Sequence, residues 1–364
     1  MDWHDPNGNA TRRIDGSQDI TLTYDAENRL TGMSGGATAS YVYDGDGTRV
    51  RETSGSSTTT VYVGNSYDRL TYLEDFSDGQ AQGWTASSGT WAVTSGGYRQ
   101  SATSSNTNAN LAFGQTAALN YEWTATYTSG TSAGLYLFAS AASGAERGNS
   151  YRIWQDATHV RIYENAGNVA TLRVSFAAAN AAGQTHSYKV SYDPLTGRFD
   201  LWRNGGSLGA WTDTTAVKSG SFVSLRTDGA NVLFDNLTFT RESKYYVGGQ
   251  RVAVRHNTSA AVNYLLTDHL GSTAITLDQN GTRVTELRYY PFGAARYNAN
   301  NQVTTYRFTG QRWDSGTALY FYQSRWYDPL IGRFLAADTI VPGPEDPQNL
   351  NRYSYVGNQP LTSA

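Results

Sequence analysis

The side chains able to carry out acid–base or nucleophilic chemistry are scattered along this sequence. Its five histidines are His4, His159, His186, His256 and His269. None of them lies in a His-Glu-x-x-His motif or next to a Gly-x-Ser-x-Gly sequence. A glycosidase needs two carboxylates facing each other across a sugar, and no paired-acid motif such as Glu-x-Asp-x-x-Glu occurs. The absence of cysteine excludes disulfides and thiolate metal sites. These residues predict a protein without catalytic activity.

The elements that must position any site are predicted to be β-strands. The 364 residues include 26 Tyr, 37 Gly and 9 Trp, and only 16% are charged. Aromatic residues punctuated by glycine are typical of strands joined by tight turns. Short alternating runs recur throughout, without a sustained 3.6-residue apolar period. We therefore predict an all-β fold, with a length that suits two domains or one large β-architecture.

Charge and hydropathy narrow the range of partners. The formal net charge is -3 and the basic residues are spread thinly, so no basic stripe is available for nucleic acid. No apolar run is long enough to span a membrane, and the polar residues after Met1 do not resemble a signal peptide. We expect either that the natural start is missing or that export uses another route.

A short pattern repeats along the chain. Residues 44–52 read DGDGTRVRE, residues 278–286 read DQNGTRVTE, and residues 4–12 are a looser copy; residues 24–30 read YDAENRL. Asn-Gly and Asp-Gly supply the positive φ that a tight hairpin turn needs. One hairpin cannot bury its own apolar face, so neighbouring copies must stack.

This Tyr-Asp-x-x-x-Arg pattern resembles the YD repeat of the Rhs, teneurin and insecticidal-toxin C-subunit families, whose hairpins wind into a hollow β-shell. Ordered motifs in the C-terminal third strengthen the resemblance. They are residues 267–272 (TDHLGS), 290–293 (YPFG), 306–311 (YRFTGQ), 325–329 (RWYDP), 332–334 (GRF) and 351–360 (NRYSYVGNQP). The resemblance implies a bacterial shell protein that is secreted or held at the cell surface.

The repeat motifs are missing from the middle of the chain. We predict YD-repeat hairpins over residues 1–70, an inserted domain over residues 71–243, and a continuation of the repeat array over residues 244–364. Exposed hairpin tips tolerate such insertions. Within the insert, short strands separated by Gly, Asn and Asp-Pro turns predict a two-sheet sandwich.

The opening of the insert at residues 75–79 (DFSDG) and its close at residues 234–237 (FDNL) resemble concanavalin-like and laminin-G-like jelly rolls. Many members of that superfamily bind sugars in a groove, where aromatic rings stack on the sugar and polar groups fix its hydroxyls. The resemblance therefore implies a carbohydrate or cell-surface glycan as partner. The candidate binding residues lie in the middle strands and at a turn, and are Trp154, Trp202, Trp211, Tyr136, Tyr163 and Arg152. Strand alternation leaves open which face each of them occupies.

Two further sites follow from these resemblances. Asp75 and Asp235 come from the first and last strands of the predicted jelly roll, and could hold a structural Ca²⁺ or be ordinary turn and edge-strand carboxylates. We expect no other cofactor. Rhs cores commonly end in Asp-Pro-x-Gly, where two aspartates cut the chain and release a C-terminal toxin. Asp338 matches the upstream aspartate, although Ala337 precedes it where arginine is common. The sequence ends at Ala364, where that motif is expected to begin, so we expect it to be catalytically silent.

The sequence thus predicts a non-catalytic scaffold and binding protein, a fragment of an Rhs-type shell that displays a carbohydrate-binding sandwich. Two alternatives remain open. The first is a structural or protein-adhesion module that associates with other copies of itself, marked by an exposed apolar patch. The second is a divergent glycoside hydrolase.

Overall fold

The computed structural model describes residues 3–55, 57–248, 250–299, 302–341, 345 and 347–362. Over these residues the protein is all-β, which confirms the predicted fold class; the strands are accompanied by short 3-10 helices at Phe308–Gly310, Pro347–Leu350 and Val356–Asn358. No helix in this part of the chain has the length and apolarity needed to cross a bilayer.

The chain forms two compact units. The repeat unit comprises Met1–Leu70, Glu242–Arg255 and Val262–Ala364. The sandwich unit comprises Thr71–Arg241 and His256–Ala261. The short segment 256–261 thus joins the sandwich unit although it lies within the C-terminal repeat region of the sequence.

The strands fall into three groups along the chain. The first group is β1 (Arg12–Asp15), β2 (Gln18–Tyr24), β3 (Leu30–Gly35), β4 (Ala39–Tyr43), β5 (Arg49–Ser54), β6 (Thr58–Val63) and β7 (Tyr67–Glu74). The second is β8 (Trp84–Ser88), β9 (Trp91–Thr94), β10 (Gly97–Gln100), β11 (Thr107–Gln115), β12 (Leu119–Ser129), β13 (Ala133–Ala139), β14 (Ser150–Gln155), β15 (His159–Ala166), β16 (Val169–Ala177), β17 (Thr185–Asp193), β18 (Arg198–Arg203), β19 (Gly206–Thr212), β20 (Gly220–Thr227) and β21 (Asn231–Gly248). The third is β22 (Gln250–His256), β23 (Asn263–Thr267), β24 (Thr273–Leu277), β25 (Arg283–Tyr289), β26 (Ala295–Ala299), β27 (Arg312–Asp314), β28 (Leu319–Tyr322), β29 (Arg325–Asp328) and β30 (Arg333–Phe334).

The repeat unit is a series of antiparallel hairpins. Strands β1 to β6 pair each with the next, as do β22 to β26 and, in a separate small sheet, β27 to β30. Apolar side chains of β2 to β4, among them Ile20 and Tyr41, pack with Leu319, Phe321 and Trp326 from β28 and β29 in one cluster. The hairpins therefore bury their apolar faces by stacking on one another.

An aspartate closes five of the described turns of the repeat unit in the same way. Asp44 Oδ1 accepts hydrogen bonds from the backbone N–H groups of Asp46 (3.0 Å) and Thr48 (2.8 Å), and Gly47 takes a φ of +79°. The same pair of hydrogen bonds recurs at Asp5, Asp25, Asp268 and Asp278. The sequence repeat thus encodes a turn in which a side chain satisfies the backbone of the tip.

The sandwich unit contains two antiparallel sheets. The first sheet has the order β16-β15-β14-β13-β20-β11-β8. The second sheet has the order β9-β10-β21-β12-β17-β18-β19. One apolar cluster draws on both sheets, with Leu135 and Ile153 from the first and Tyr121 and Phe199 from the second. Since successive residues of a strand point to opposite sides, the residues between these core positions form the two outer faces of the sandwich.

Candidate functional site

The outer face of the second sheet carries an open groove of about 600 Å³. We call it the Trp202 groove. It is lined by Glu122, Trp123, Thr124, Ser187, Tyr188, Lys189, Trp202, Gly205, Asn236 and Thr238. Alternation along β12 places Tyr121 and Trp123 in the core and leaves Glu122 and Thr124 facing the groove.

Trp202 is the half-buried aromatic ring of this groove. It lies opposite Lys189 in the pairing of β17 with β18, and the Lys189 Nζ is 5.9 Å from the centre of its ring. Lys189 also forms an ion pair of 2.9 Å with Glu122, and both of these side chains are more than two-fifths exposed. The groove therefore combines an aromatic surface with accessible charged and hydroxyl groups, which is the chemistry that suits a polar ligand with an apolar face.

Four of the predicted binding residues meet on the outer face of the first sheet. Tyr136 lies opposite Arg152 in the pairing of β13 with β14, and Arg152 lies opposite Tyr163 in that of β14 with β15. Trp154 follows Arg152 by two residues and lies on the same face. We call this group, with Glu146 and Arg226, the Arg152 cluster.

Ion pairs and cation–π contacts hold the Arg152 cluster together. Glu146 is the shared acceptor: Tyr136 Oη donates to it at 2.8 Å, Arg152 Nη1 lies 2.9 Å from its Oε2, and Arg226 Nη1 lies 3.1 Å from its Oε1. The Arg152 guanidinium stacks 4.3 Å from the Tyr163 ring centre and 5.3 Å from that of Trp154. Burial raises the pKa of Tyr136, which keeps the phenol protonated as a donor to Glu146.

The Arg152 cluster is largely inaccessible to a ligand. Trp154 and Arg152 are 8% exposed and Tyr136 is fully buried, while Tyr163 is half-buried. Guanidinium groups already cover the ring faces that a sugar would need, because Arg226 also lies 5.6 Å from the Trp154 ring centre. The arrangement fixes the loop that carries Glu146 to the sheet and leaves little aromatic surface for a ligand.

Trp211 belongs to neither group. Its ring stacks on Phe199 at 5.6 Å and meets Tyr151 edge-on at 6.2 Å, at the border of the core. The six predicted binding residues are thus divided among the Trp202 groove, the Arg152 cluster and the core.

The two predicted calcium ligands influence each other. Burial and the negative charge of Asp75 raise the pKa of Asp235. Asp235 accepts hydrogen bonds from the backbone N–H and side-chain amide of Asn236, and Asp75 accepts from Ser77. No group of three or more His, Cys, Asp or Glu side chains suited to a metal occurs among the described residues. A calcium ion here would need carbonyl or water oxygens besides the two carboxylates, and the site stays a prediction.

Asp338, the match to the upstream self-cleavage aspartate, is engaged in structural contacts. Its Oδ2 lies 2.6 Å from Arg325 Nη2, and its Oδ1 accepts a hydrogen bond from the backbone N–H of Ile340 at 3.1 Å. Its own backbone N–H donates to the carbonyl of Arg352. These contacts tie the segment around Asp338 to neighbouring parts of the repeat unit.

The sequence did not indicate Glu146 or Arg226 as members of a site. Arg226 lies in register with Gly134 and two residues from Ser224, so strand alternation could have placed it beside Tyr136 once the pairing of β13 with β20 was known. Glu146 comes from the connection between β13 and β14, whose path no local pattern reveals. For Glu146 we see no signal in the sequence.

Comparisons with known protein families and sequences give matches to the repeat region. The family model of the teneurin YD-shell matches residues 236–361. Salivary gland surface protein 1 of Aedes aegypti is 36% identical over 35% of this chain and 3% of its own length. Toxin subunit YenC2 of Yersinia entomophaga is 37% identical over 25% of this chain and 9% of its own length. The matched segments are therefore a small part of either relative.

Among solved structures, the carbohydrate-binding module CBM66 from Bacillus subtilis is 20% identical, covers 43% of this chain and 94% of its own, and aligns with a TM-score of 0.38.

Residues 236–361 match a YD-shell, and the similarity to YenC2 agrees with that match. Together they confirm that the repeats resemble those of the Rhs and YD-repeat families.

Proposed function

We propose that this protein is a non-catalytic scaffold and binding protein, part of a secreted or cell-surface bacterial assembly, whose sandwich unit binds carbohydrate in the Trp202 groove. The observation that carries the proposal is the groove itself, an open surface that joins one accessible indole ring to charged and hydroxyl side chains. YenC2, a relative of this chain, is a toxin subunit, and this supports a place for such a shell beside a delivered toxin.

The Trp202 groove suits a sugar better than the Arg152 cluster does. A pyranose ring stacks on an aromatic face that is free of other groups, and its hydroxyls need nearby polar partners. Trp202 shares its groove with Thr124, Ser187 and Thr238, whereas Trp154 already lies against two guanidinium groups. The carboxylate that lines the groove is Glu122, paired with Lys189. A two-carboxylate hydrolysis would need a second acid facing it.

A glycan array probed with the intact chain tests the proposal. We expect selective binding that Trp202→Ala abolishes and that Tyr264→Ala, which removes an exposed aromatic side chain from the repeat unit, leaves unchanged. Each protein is assayed with calcium and with a chelator, so that a requirement for Ca²⁺ is seen separately. A folded chain that binds no glycan selectively, or that binds equally well without the Trp202 ring, contradicts the proposal.

Protein adhesion is the second candidate, and an apolar patch on the repeat unit favours it. Tyr290, Leu330 and Ile331 are 55%, 59% and 61% exposed around a groove of about 480 Å³. Exposed apolar surface of this kind marks contact sites between proteins. Sedimentation velocity of the intact chain tests it: we expect self-association that Ile331→Lys removes and Ile340→Lys, an exposed position outside the groove, retains. A monomer at all concentrations would exclude self-adhesion.

A further inference from the structure

The repeat unit contains a polar cavity of its own. Its volume is about 430 Å³. The residues around it are Thr48, Arg49, Tyr62, Gly64, Asn65, Arg251, Tyr306, Gly310, Gln311, Arg312, Phe321 and Gln323. We call it the three-arginine pocket. Its mouth is formed by exposed polar residues such as Thr48, Asn65 and Gln323, and its floor by buried ones.

Arg49 lies at the floor of the pocket. It is the arginine of the repeat motif, at the start of β5, and is 3% exposed. Its guanidinium lies 4.6 Å from the Tyr62 ring centre and 4.8 Å from that of Phe321. Its Nη1 lies 3.2 Å from a carboxylate oxygen of Glu52 and 3.7 Å from one of Asp314, so Arg49 has counter-charges within the protein. Its Nε is buried below the surface of the pocket, where a ligand oxygen cannot reach it.

Arg312 also has its partners within the protein. It forms an ion pair of 2.8 Å with the buried Asp68, and its other terminal nitrogen donates to the Tyr306 hydroxyl. This arginine therefore has its counter-charge within the protein.

Arg251 has no such counter-charge. It forms no ion pair with a carboxylate of the described residues. Its contacts include a 3.3 Å hydrogen bond to the Gly310 carbonyl and the faces of two rings, whose centres lie 3.2 Å (Tyr306) and 5.7 Å (Tyr245) from its guanidinium. Its Nε is also buried without a partner. Burial and the positive charge of Arg312 lower the pKa of Arg251. A half-buried guanidinium in this setting is stabilised by an anion brought from outside.

We propose that the three-arginine pocket binds a compact oxyanion, a carboxylate or a phosphate group, through Arg251. The oxyanion accepts charge-assisted hydrogen bonds from the guanidinium of Arg251, which are stronger than bonds between neutral groups. Arg49 and Arg312 line the same pocket but are paired with carboxylates of the repeat unit. The aromatic walls of Tyr62 and Tyr306 lower the local dielectric and strengthen this attraction. Neutral side chains at the mouth, Asn65 and Gln323, leave the path for an anion free of opposing charge.

Isothermal titration calorimetry on the intact chain at low ionic strength tests this site, with inorganic phosphate and N-acetyl-aspartate as separate probes. We expect saturable binding of at least one probe at one site per chain, and the tighter probe identifies the preferred oxyanion. Arg251→Gln should weaken binding about tenfold or more, the loss expected for one charge-assisted hydrogen bond. Arg69→Gln, which removes an exposed arginine of the same unit, should leave the affinity unchanged.

Asn65→Asp is the second variant, because it adds a negative charge at the exposed mouth without touching the buried floor. It should weaken anion binding even if Arg251→Gln fails to fold. A folded wild-type chain that binds neither probe saturably overturns the proposal, and so does an unchanged affinity in Asn65→Asp. Neither result bears on the Trp202 groove, which lies in the other unit.

Discussion

The two outer faces of the sandwich unit are built by the same strand alternation, yet one is open and the other is closed. On the second sheet, Trp202 shares a groove with an exposed Lys189–Glu122 pair. On the first sheet, the loop residue Glu146 draws Arg152 and Arg226 over the aromatic rings. The difference comes from a single connection between strands. An aromatic ring that faces outwards on a sheet thus stays accessible only where no loop places ion-paired side chains on it.

The largest effect is expected from removing the ion that closes the first face. Glu146→Gln leaves Arg152 and Arg226 nearly buried beside a neutral amide, so the free energy of unfolding should fall by about 3 kcal/mol. Glu122→Gln is the matched control on the open face, where loss of an exposed pair should cost less than about 0.5 kcal/mol. Urea unfolding followed by tryptophan fluorescence measures both. Equal losses of unfolding free energy in the two variants would show that ion pairs contribute equally to both faces.

Replacing one tryptophan on each face sharpens the comparison. Trp154→Ala removes a ring that is 8% exposed and should destabilise the protein by about 3 kcal/mol. Trp202→Ala removes a half-buried surface ring and should cost less than about 1 kcal/mol while abolishing glycan binding. Thermal unfolding and the glycan array give the two readouts. The assignment of roles fails if Trp154→Ala loses glycan binding at unchanged stability.

The Asp75–Asp235 pair provides a smaller, pH-dependent effect. Because the pKa of Asp235 is raised in the folded state, its ionisation opposes folding, and this cost is removed as the pH falls through the raised pKa. Asp235→Asn should therefore raise stability slightly at neutral pH without calcium, by a few tenths of a kcal/mol for so exposed a pair. Added Ca²⁺ should stabilise the wild type and leave this variant unchanged. Melting curves from pH 4 to 8, with calcium or a chelator, measure both effects. No response of the wild type to calcium would exclude the metal site.

A similarly small effect on stability is expected for Lys189→Met. The Lys189–Glu122 pair is exposed, so its loss should change the free energy of unfolding by less than about 0.5 kcal/mol. Glycan affinity should nonetheless fall several-fold, because the ammonium group lines the groove. Titration with a glycan selected on the array measures this. A stability loss of the size expected for Glu146→Gln would mean that the open face is held by ions as well.

The sequence predicted the repeat better than it predicted the binding surface. The Asp-x-x-Gly spacing around Asp44 acts locally, since the side chain bonds to amides two and four residues away, and a local pattern can therefore reveal it. The all-β fold follows from alternation in the same way.

The candidate site depends on long-range register and on loop paths. Trp202 and Trp211 lie on neighbouring strands and have the same chemistry, but a register shift between Leu201 and Trp202 accompanies opposite placements of the two rings. No count of alternating residues foresees such a shift. Glu146 lies in a loop, to which strand alternation does not apply. The sequence therefore named Arg152 and Trp154 as candidates but gave no indication of Glu146, their partner.

The aspartate turn described for the repeat unit also bears on how such a gene changes over generations. A hairpin of this kind carries the residue that closes its own tip, so a duplicated stretch of coding sequence would encode a segment that already turns in the right place. The number of such hairpins can therefore change without a change in how each one turns.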